Sequence, residues 1–238
     1  ESQEKEAMDV LNKAAERADI KTTKVVNLDE IRILPQKDGK QCFSYAGYDA
    51  VTMKMLGVHQ YENAVAAMLA AELFFEKYFA GKKNVPELKA LQHAIREGID
   101  RTQWMGRMEL VSNDPFFLMD GAHNSNGVEA LKKSLETMYP DEKFHFIMGV
   151  MADKDYGEMI RELLPLALDF KTVTVESERA LQGEALADCI REKGIPAEAY
   201  RNLEDVLPDF SKSSAEKTVA FGSLYFIGEI EAFLQGKQ

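Results

Sequence analysis

The run Phe144–Val150, which reads FHFIMGV, is short and almost wholly apolar. A second run of this kind, Lys217–Phe221 (KTVAF), lies near the end of the chain. Short runs with apolar residues at consecutive positions are typical of central strands buried on both faces of a parallel sheet. Both runs therefore predict inner strands, and Gly149 and Gly222 mark the turns at their ends.

Outward from these runs, strand-like and helical segments alternate from residue 107 onward. Further strands are predicted at Met108–Val111, Phe116–Met119 and Phe170–Val175. Helices are predicted at Val128–Met138, Tyr156–Leu164, Gly183–Lys193, Leu203–Ser211 and Ile227–Leu234. This alternation predicts an α/β fold with a doubly wound, mostly parallel, Rossmann-like sheet and right-handed crossovers. In such sheets ligands bind beyond the carboxyl ends of the strands.

The earlier part of the chain has a different pattern, in which short strands are grouped together and helices follow. An amphipathic helix is predicted over Gln3–Arg17. Strands are predicted at Val25–Leu28, Ile31–Leu34, Gln41–Tyr45 and Val51–Met55, and helices at His59–Phe79, with Gly81 as its cap, and Val85–Gly98. The change of pattern near Glu109 predicts two domains, residues 1–109 and residues 110–238.

Composition excludes several classes of function. The 238 residues carry a formal net charge of -11 and no basic stripe, so a nucleic acid partner is not expected. No apolar run approaches the roughly 20 residues that a membrane span needs. Cys42 and Cys189 lie far apart, which is typical of reduced thiols in a cytoplasmic protein. The four histidines are dispersed, so no metal site is expected within this chain.

Polar residues follow three of the predicted strands. Asp120–Asn124 (DGAHN) follow one, Lys154 a second and Ser223 a third. Because all three turns fall on the same edge of the predicted sheet, they could together hold an anionic ligand. Each also has a purely structural alternative: an Asx turn at Asp120 and Asn124, a solvated lysine, and a serine N-cap. The local sequence leaves these alternatives open.

Two candidates lie upstream of these turns. Gln60 and Asn63 are one helical turn apart, and such a pair of amides can read a purine edge or simply cap the helix. Arg107 follows the sole tryptophan, Trp104, near the predicted boundary. Its guanidinium can bind a phosphate through charge-assisted hydrogen bonds or form a salt bridge between domains.

Several segments, taken together and in order, resemble one family. Leu56–Ala64 is similar to G-x-H-Q-x-x-N-A, Trp104–Glu109 to W-x-G-R-x-E, and Asp120–Asn124 to D-G-A-H-N. Gly149–Asp155 resembles G-x-x-x-D-K-D, Arg179–Leu181 a further shared segment, and Gly222–Gly228 the last strand-turn-helix. On these residues the chain resembles the carboxy-terminal portion of the folylpolyglutamate and dihydrofolate synthases, a branch of the Mur ligase superfamily.

Two departures from the family pattern qualify the resemblance. Ser125 stands where the family usually has proline after the asparagine, which alters the entry into the next helix. The family's P-loop has no counterpart in the sequence, and its magnesium ligands lie upstream as well. The resemblance therefore implies that residues 1–109 are the end of a central P-loop-type ATPase domain and residues 110–238 the complete C-terminal domain. A fragment of this kind is expected to be inactive alone.

The resemblance also implies an activity. It implies an ATP-dependent, magnesium-requiring ligase, monomeric and cytoplasmic, that adds L-glutamate to the glutamate tail of reduced folates through an acyl phosphate. Whether dihydropteroate is also an acceptor is not readable from this chain. The alternatives are another Mur-type amide ligase and a non-catalytic nucleotide-binding module.

The implied roles fall on residues in both predicted domains. Asn63, Arg107 and Asp120 would bind ATP, and Asn124, Lys154 and Ser223 would bind glutamate. Arg107, His123 and Lys154 would take part in catalysis.

Overall fold

The structure is a computed structural model that describes residues 5–236. Its contacts divide the chain into two compact units, one that ends at Gln103 and one that begins at Trp104. This division lies a few residues before the boundary that the sequence predicts near Glu109. The assignment of the two domains by family stays a prediction.

The first unit combines a small antiparallel sheet with three helices. Helix α1 (Lys5–Arg17) precedes strands β1 (Arg32–Lys37), β2 (Lys40–Tyr45) and β3 (Tyr48–Met53), which lie in the order β1-β2-β3. Helices α2 (His59–Phe79) and α3 (Leu88–Arg101) follow. Large side chains from β2, β3 and α2 form the core of this unit, among them Phe43, Val51, Tyr61, Val65 and Met68.

Most elements predicted for this unit are present. Helix α2 has the predicted bounds, and Gly81 follows it with φ +73°, the left-handed conformation that ends many helices. The strand predicted at Val25–Leu28 is wrong. Asn27 instead accepts a hydrogen bond from the N–H of Asp29 and begins a 3-10 turn over Leu28–Glu30. The part of the first predicted helix before Lys5 lies outside the described residues.

The second unit is an α/β domain built on one six-stranded sheet. Its strands are β4 (Glu109–Asn113), β5 (Phe116–Met119), β6 (Phe144–Met148), β7 (Ala167–Val173), β8 (Ala197–Tyr200) and β9 (Lys217–Phe221), in the order β4-β5-β9-β6-β7-β8. Its helices are α4 (Ser125–Met138), α5 (Tyr156–Leu163), α6 (Gly183–Arg191) and α7 (Leu224–Gly236). Every neighbouring pair is parallel except β4 with β5. The predicted mostly parallel, Rossmann-like fold is confirmed.

The inner strands are buried on both faces, as their apolar runs predict. Phe117, Met119, Ile147 and Ala220 pack with buried side chains of α7 in one core cluster. Side chains alternate along a strand, so the neighbouring residues point to the opposite face. There the ring of Phe146 stacks on Phe170 and meets Phe221 edge-on. This packing fixes which strand ends lie side by side.

Two predictions for the second unit are wrong in detail. The helix expected at Leu203–Ser211 is only a 3-10 turn over Leu203–Asp205, because Pro208 lacks the N–H that a continuing helix needs. Strand β8 was not expected, since its sequence AEAY carries little strand propensity. Among the described residues, no helix is long and apolar enough to span a membrane.

Candidate functional site

The turns after β5, β9 and β6 are joined to one another by main-chain hydrogen bonds. The N–H of Asp120 donates to the carbonyl of Ala220 (2.9 Å), and that of Gly149 donates to Phe221 (3.3 Å). The N–H of Gly222 donates to the carbonyl of Ala122 (3.0 Å). The three turns singled out in the sequence therefore meet at the carboxyl edge of one sheet.

Gly222 allows the central turn to come this close. Its φ is +122°, and a Cβ built there would lie 2.5 Å from the carbonyl oxygen of Gly149. A side chain would thus clash with main chain rather than with a movable group. The residue that precedes Ser223 is therefore restricted to glycine by the packing of β9 against the end of β6.

A cavity of about 160 Å³ lies at this edge. It is lined by His123, Met151, Lys154, Arg179, Gly222, Ser223, Leu224 and Tyr225. Lys154 and Arg179 are basic and none of the described residues that line the cavity is acidic, although the whole chain is acidic. Local positive charge of this kind suits a ligand that carries carboxylates or phosphates.

Lys154 is placed by the loop between β6 and α5. Its N–H donates to the carbonyl of Met151 (3.2 Å), and the side chain of the next residue, Asp155, caps α5 by accepting from the N–H of Glu158 (3.1 Å). The lysine side chain is half-buried. The structure therefore supports Lys154 as a point charge inside the cavity.

Arg179 reaches the same cavity from the loop after β7. The N–H of Ala152 donates to the carbonyl of Arg179 (2.8 Å), and the N–H of Leu181 donates to that of Val150 (2.9 Å). These bonds join the loops after two adjacent strands. Sequence reasoning marked Arg179–Leu181 only as a shared segment and gave Arg179 no role. The signal was a basic residue shortly after a predicted strand at this edge.

One ring nitrogen of His123 is engaged in a hydrogen bond to the main chain. Its Nδ1 lies 2.9 Å from the carbonyl oxygen of Gly121. A carbonyl oxygen can only accept, so Nδ1 carries a proton, and in the neutral ring Nε2 is then the acceptor. The ring also lines the cavity. The catalytic role of His123 stays a prediction.

The side chain of Asp120 makes the hydrogen bond of an Asx turn, which is the purely structural alternative for this residue. Its side chain is 5% exposed, and its two oxygens accept the N–H groups of Ala122 and Met108, each at 2.8 Å. Burial raises the pKa of Asp120, while these N–H groups and the charge of Arg107 oppose the rise. The carboxylate therefore holds the turn together, and its role toward ATP stays a prediction.

Arg107 is exposed and lies between two anchored neighbours. The carbonyl of Gly106 accepts from the N–H of Gly121 (2.7 Å), and the N–H of Met108 donates to Asp120. The N–H of Gly106 also donates to Glu109 (2.8 Å). The main chain on both sides of Arg107 is thus fixed next to the turn after β5, while the guanidinium faces solvent.

Asn124 and Ser223 both act as helix N-caps. Asn124 Oδ1 accepts from the N–H of Gly127 (2.8 Å) at the start of α4, and Ser223 Oγ accepts from the N–H of Phe226 (3.1 Å) at the start of α7. Ser223 also lines the cavity and is 3% exposed, whereas Asn124 is exposed. The hydroxyl of Ser223 still has its proton to donate to a ligand.

The cap at Asn124 can be separated from a binding role. Asn124→Ala should lower the free energy of unfolding of the second unit by about 1 kcal/mol, because the N–H of Gly127 loses its acceptor. Asn124→Ser keeps an oxygen acceptor and should restore most of that stability. Urea unfolding of both variants checks this expectation. Equal stability of the alanine variant and the unmodified protein would show that the cap contributes nothing.

Asn63 lies in the first unit and has surroundings of its own. Its Nδ2 donates to Oε1 of Gln60 (3.1 Å), and both side chains line a cavity of about 120 Å³ with Met53, Met55, Ala64, Ala67, Ile99 and Thr102. The two amides therefore share a face, as their spacing predicts. The structure brings His123, Lys154 and Ser223 together, and it gives Asn63 a separate cavity.

Two other features do not compete with this site. The largest cavity described, of about 760 Å³, lies along β4, residues 204–211 and the end of α7, and none of the described residues that line it is basic. Within residues 5–236, no group of three or more His, Cys, Asp or Glu side chains is arranged to hold a metal ion. The carboxyl edge of the sheet remains the candidate site.

Comparison with known proteins agrees with this geometry. Residues 106–221 match the family described as Mur ligase, glutamate ligase domain. Over 191 residues the chain is 30% identical to the dihydrofolate synthase/folylpolyglutamate synthase of Bacillus subtilis, an alignment that covers 79% of this chain and 42% of that protein. The chain belongs to the folylpolyglutamate and dihydrofolate synthase family. It corresponds to the carboxy-terminal portion of that family, as the sequence predicts.

Further members extend the comparison. The Mycobacterium tuberculosis dihydrofolate synthase/folylpolyglutamate synthase is 32% identical over 168 residues, which are 67% of this chain and 32% of that protein. A solved structure of the M. tuberculosis folylpolyglutamate synthase with ADP and AMPPCP matches with a TM-score of 0.78 and 24% identity, covering 98% of this chain and 53% of the other. The structural likeness supports the fold. The chain spans about half the length of the relatives it matches, or less.

Proposed function

We propose that this chain is part of an ATP-dependent ligase that adds L-glutamate to the glutamate tail of reduced folates, with dihydrofolate synthase activity as a second reaction to be tested. The observation that carries the proposal is the cationic cavity of Lys154, Arg179, His123 and Ser223. The first three of these residues lie within the region that matches a glutamate ligase domain, and Ser223 lies two residues beyond its end. A dicarboxylic amino acid fits the charge of this cavity. A cytoplasmic location and a monomeric state belong to the same proposal.

The site residues divide the work of amide formation. Lys154 and the hydroxyl of Ser223 would hold the incoming glutamate and neutralise its carboxylates. An amine attacks only after it has lost a proton, and Nε2 of His123 is the acceptor that lines the cavity. Asn124 would contribute its amide at the start of α4, beyond its cap. The carboxylate that is attacked would first be activated by ATP as an acyl phosphate.

Three residues are proposed to bind the nucleotide. Asn63 would approach the adenine, and Arg107 would contact the phosphates through charge-assisted hydrogen bonds. Asp120 would serve the ribose only through the lone pairs that its two N–H contacts leave free. Solved relatives carry ADP with a compound named DHPP, from Escherichia coli, and AMPPNP with a manganese ion, from Yersinia pestis. For this protein we propose ATP with Mg²⁺, whose ligands would lie outside the chain.

Two alternatives are weaker. A peptidoglycan-type Mur ligase would share the glutamate ligase domain, but the curated relatives named above are folate enzymes. A non-catalytic nucleotide-binding module would use the two cations of this cavity for phosphates, but it would not need a base beside them.

A ligase assay on the full-length gene product tests the proposal. With ATP, L-glutamate and tetrahydrofolate, we expect ADP release and a folate one glutamate longer, whereas this chain alone should hydrolyse no ATP because it lacks a P-loop. Parallel reactions with dihydropteroate measure the second activity. Omitting L-glutamate is the control. No elongated product with either acceptor would refute the proposed function.

A further inference from the structure

Arg179 has an acidic partner at the rim of the cavity. Its Nη2 lies 2.5 Å from Oδ2 of Asp153, and this hydrogen bond lowers the pKa of the Asp153 carboxyl. The two side chains are 63% and 52% exposed. Ion pairs as exposed as this one contribute little to stability, since water screens them and solvates either partner well. The contact can therefore be exchanged at low cost.

The main chain of Arg179 is held independently of that ion pair. Its carbonyl accepts from Ala152, and its own N–H donates to Oγ of Ser177 (3.2 Å). The adjacent Ala180 forms a bridge with Met151. Because these bonds fix the loop, the guanidinium can leave Asp153 and take another carboxylate while its Cα stays in place.

The cavity provides a reason for such an exchange. Arg179 and Lys154 both line it, but Asp153, the acid that pairs with Arg179, does not. A ligand with two carboxylates would offer each cation a partner, and the planar guanidinium binds a carboxylate with two parallel hydrogen bonds. Asp153 already occupies the guanidinium, through one hydrogen bond from Nη2 to Oδ2.

We propose that Arg179 is a carboxylate-binding residue of the glutamate subsite and that Asp153 is a resident competitor, which occupies Arg179 until the substrate replaces it. This inference rests on the proposed function and names a binding residue and a competing residue that the function alone does not require. Arg179 would contact the substrate directly, and Asp153 would act through Arg179.

The KM for L-glutamate in the full-length protein tests the inference. Arg179→Gln should raise KM by about 10-fold or more, because a charge-assisted pair is lost. Asp153→Asn should lower KM, because the competitor is removed. In the double variant, Asp153→Asn should bring no gain, since no guanidinium remains to be released. Arg191→Gln is the matched control: Arg191 is also exposed and paired with acids, on α6.

Each result decides a different point. If Asp153→Asn raises KM as Arg179→Gln does, the ion pair only supports the loop and the inference is wrong. If Asp153→Asn lowers KM by the same factor in the unmodified protein and in the Arg179→Gln variant, Asp153 acts only through its negative charge near the cavity. Competition of Asp153 with the substrate for Arg179 is then refuted. An unchanged KM in Arg179→Gln refutes the binding role while the ligase function stands. Absence of glutamate-dependent activity in the unmodified protein overturns the proposed function and this inference together.

Discussion

Gly222→Ala should destabilise the second unit by about 2–5 kcal/mol, the largest effect on stability that we expect from a single methyl group. The new Cβ would lie 2.5 Å from the carbonyl oxygen of Gly149, and the φ of +122° is one that residues with a side chain rarely adopt. Strain and overpacking each cost about 1–3 kcal/mol. Because the clash is with main chain, the ends of β9 and β6 would have to separate.

Gly228 offers a matched control in helix α7. A Cβ built at Gly228 has no atom within 4 Å. Gly228→Ala should therefore raise stability by about 0.5–1 kcal/mol, since alanine favours the helix. Urea unfolding combined with hydrogen exchange of the β9 amides reports on the second unit separately from the first. If Gly222→Ala and Gly228→Ala shift the urea unfolding transition in the same direction and by the same amount, close packing at Gly222 is not what excludes a side chain.

Arg107→Ala should lower kcat of the full-length ligase by about 10-fold or more, which corresponds to about 1.4 kcal/mol of lost transition-state stabilisation. The expectation rests on the proposed function. It gains support from the two hydrogen bonds that fix the main chain at Gly106 and Met108 and leave the guanidinium in solvent, ready for a phosphate. A side chain that served only to pack would not be presented in this way.

Arg101→Ala is the control for this experiment. Arg101 is exposed, lies six positions earlier by residue number, and pairs with Glu97 on α3. Its loss should leave turnover unchanged. The charge of Arg107 also lowers the pKa of the buried Asp120, so removing it changes the electrostatics of the turn after β5. Circular dichroism should therefore confirm that both variants are folded. Normal turnover in a folded Arg107→Ala protein would show that Arg107 does not stabilise the phosphate.

The sequence predicted the location of the candidate site because parallel strands bring their carboxyl ends to one edge. Alternation of apolar runs and helices was enough to place Lys154 and Ser223 on that edge, and the structure joins their turns by hydrogen bonds. The same reasoning could not separate binding from capping. Ser223 and Asn124 make cap contacts, and only their surroundings show which one also lines a cavity.

Contacts between distant segments were not readable from the sequence. Asp120 accepts from Met108, twelve residues earlier, because β4 folds back antiparallel on β5. Arg179 enters the cavity because the loop after β7 pairs with the loop after β6. Both contacts depend on strand order, which local propensity does not encode. Strand β8 escaped notice for a related reason, since an edge strand needs few apolar residues.

The hydrogen bonds between the three turns have a consequence for how this candidate site can change over evolution or in the laboratory. Since the N–H groups of Asp120, Gly149 and Gly222 donate to main-chain carbonyls of the neighbouring turns and strand ends, replacing side chains elsewhere on the edge leaves the mutual geometry of the turns intact. Tyr225, which is 67% exposed and lines the cavity, is such a position. We therefore expect a library of substitutions at Tyr225 to change the lining of the cavity without loss of the folded edge.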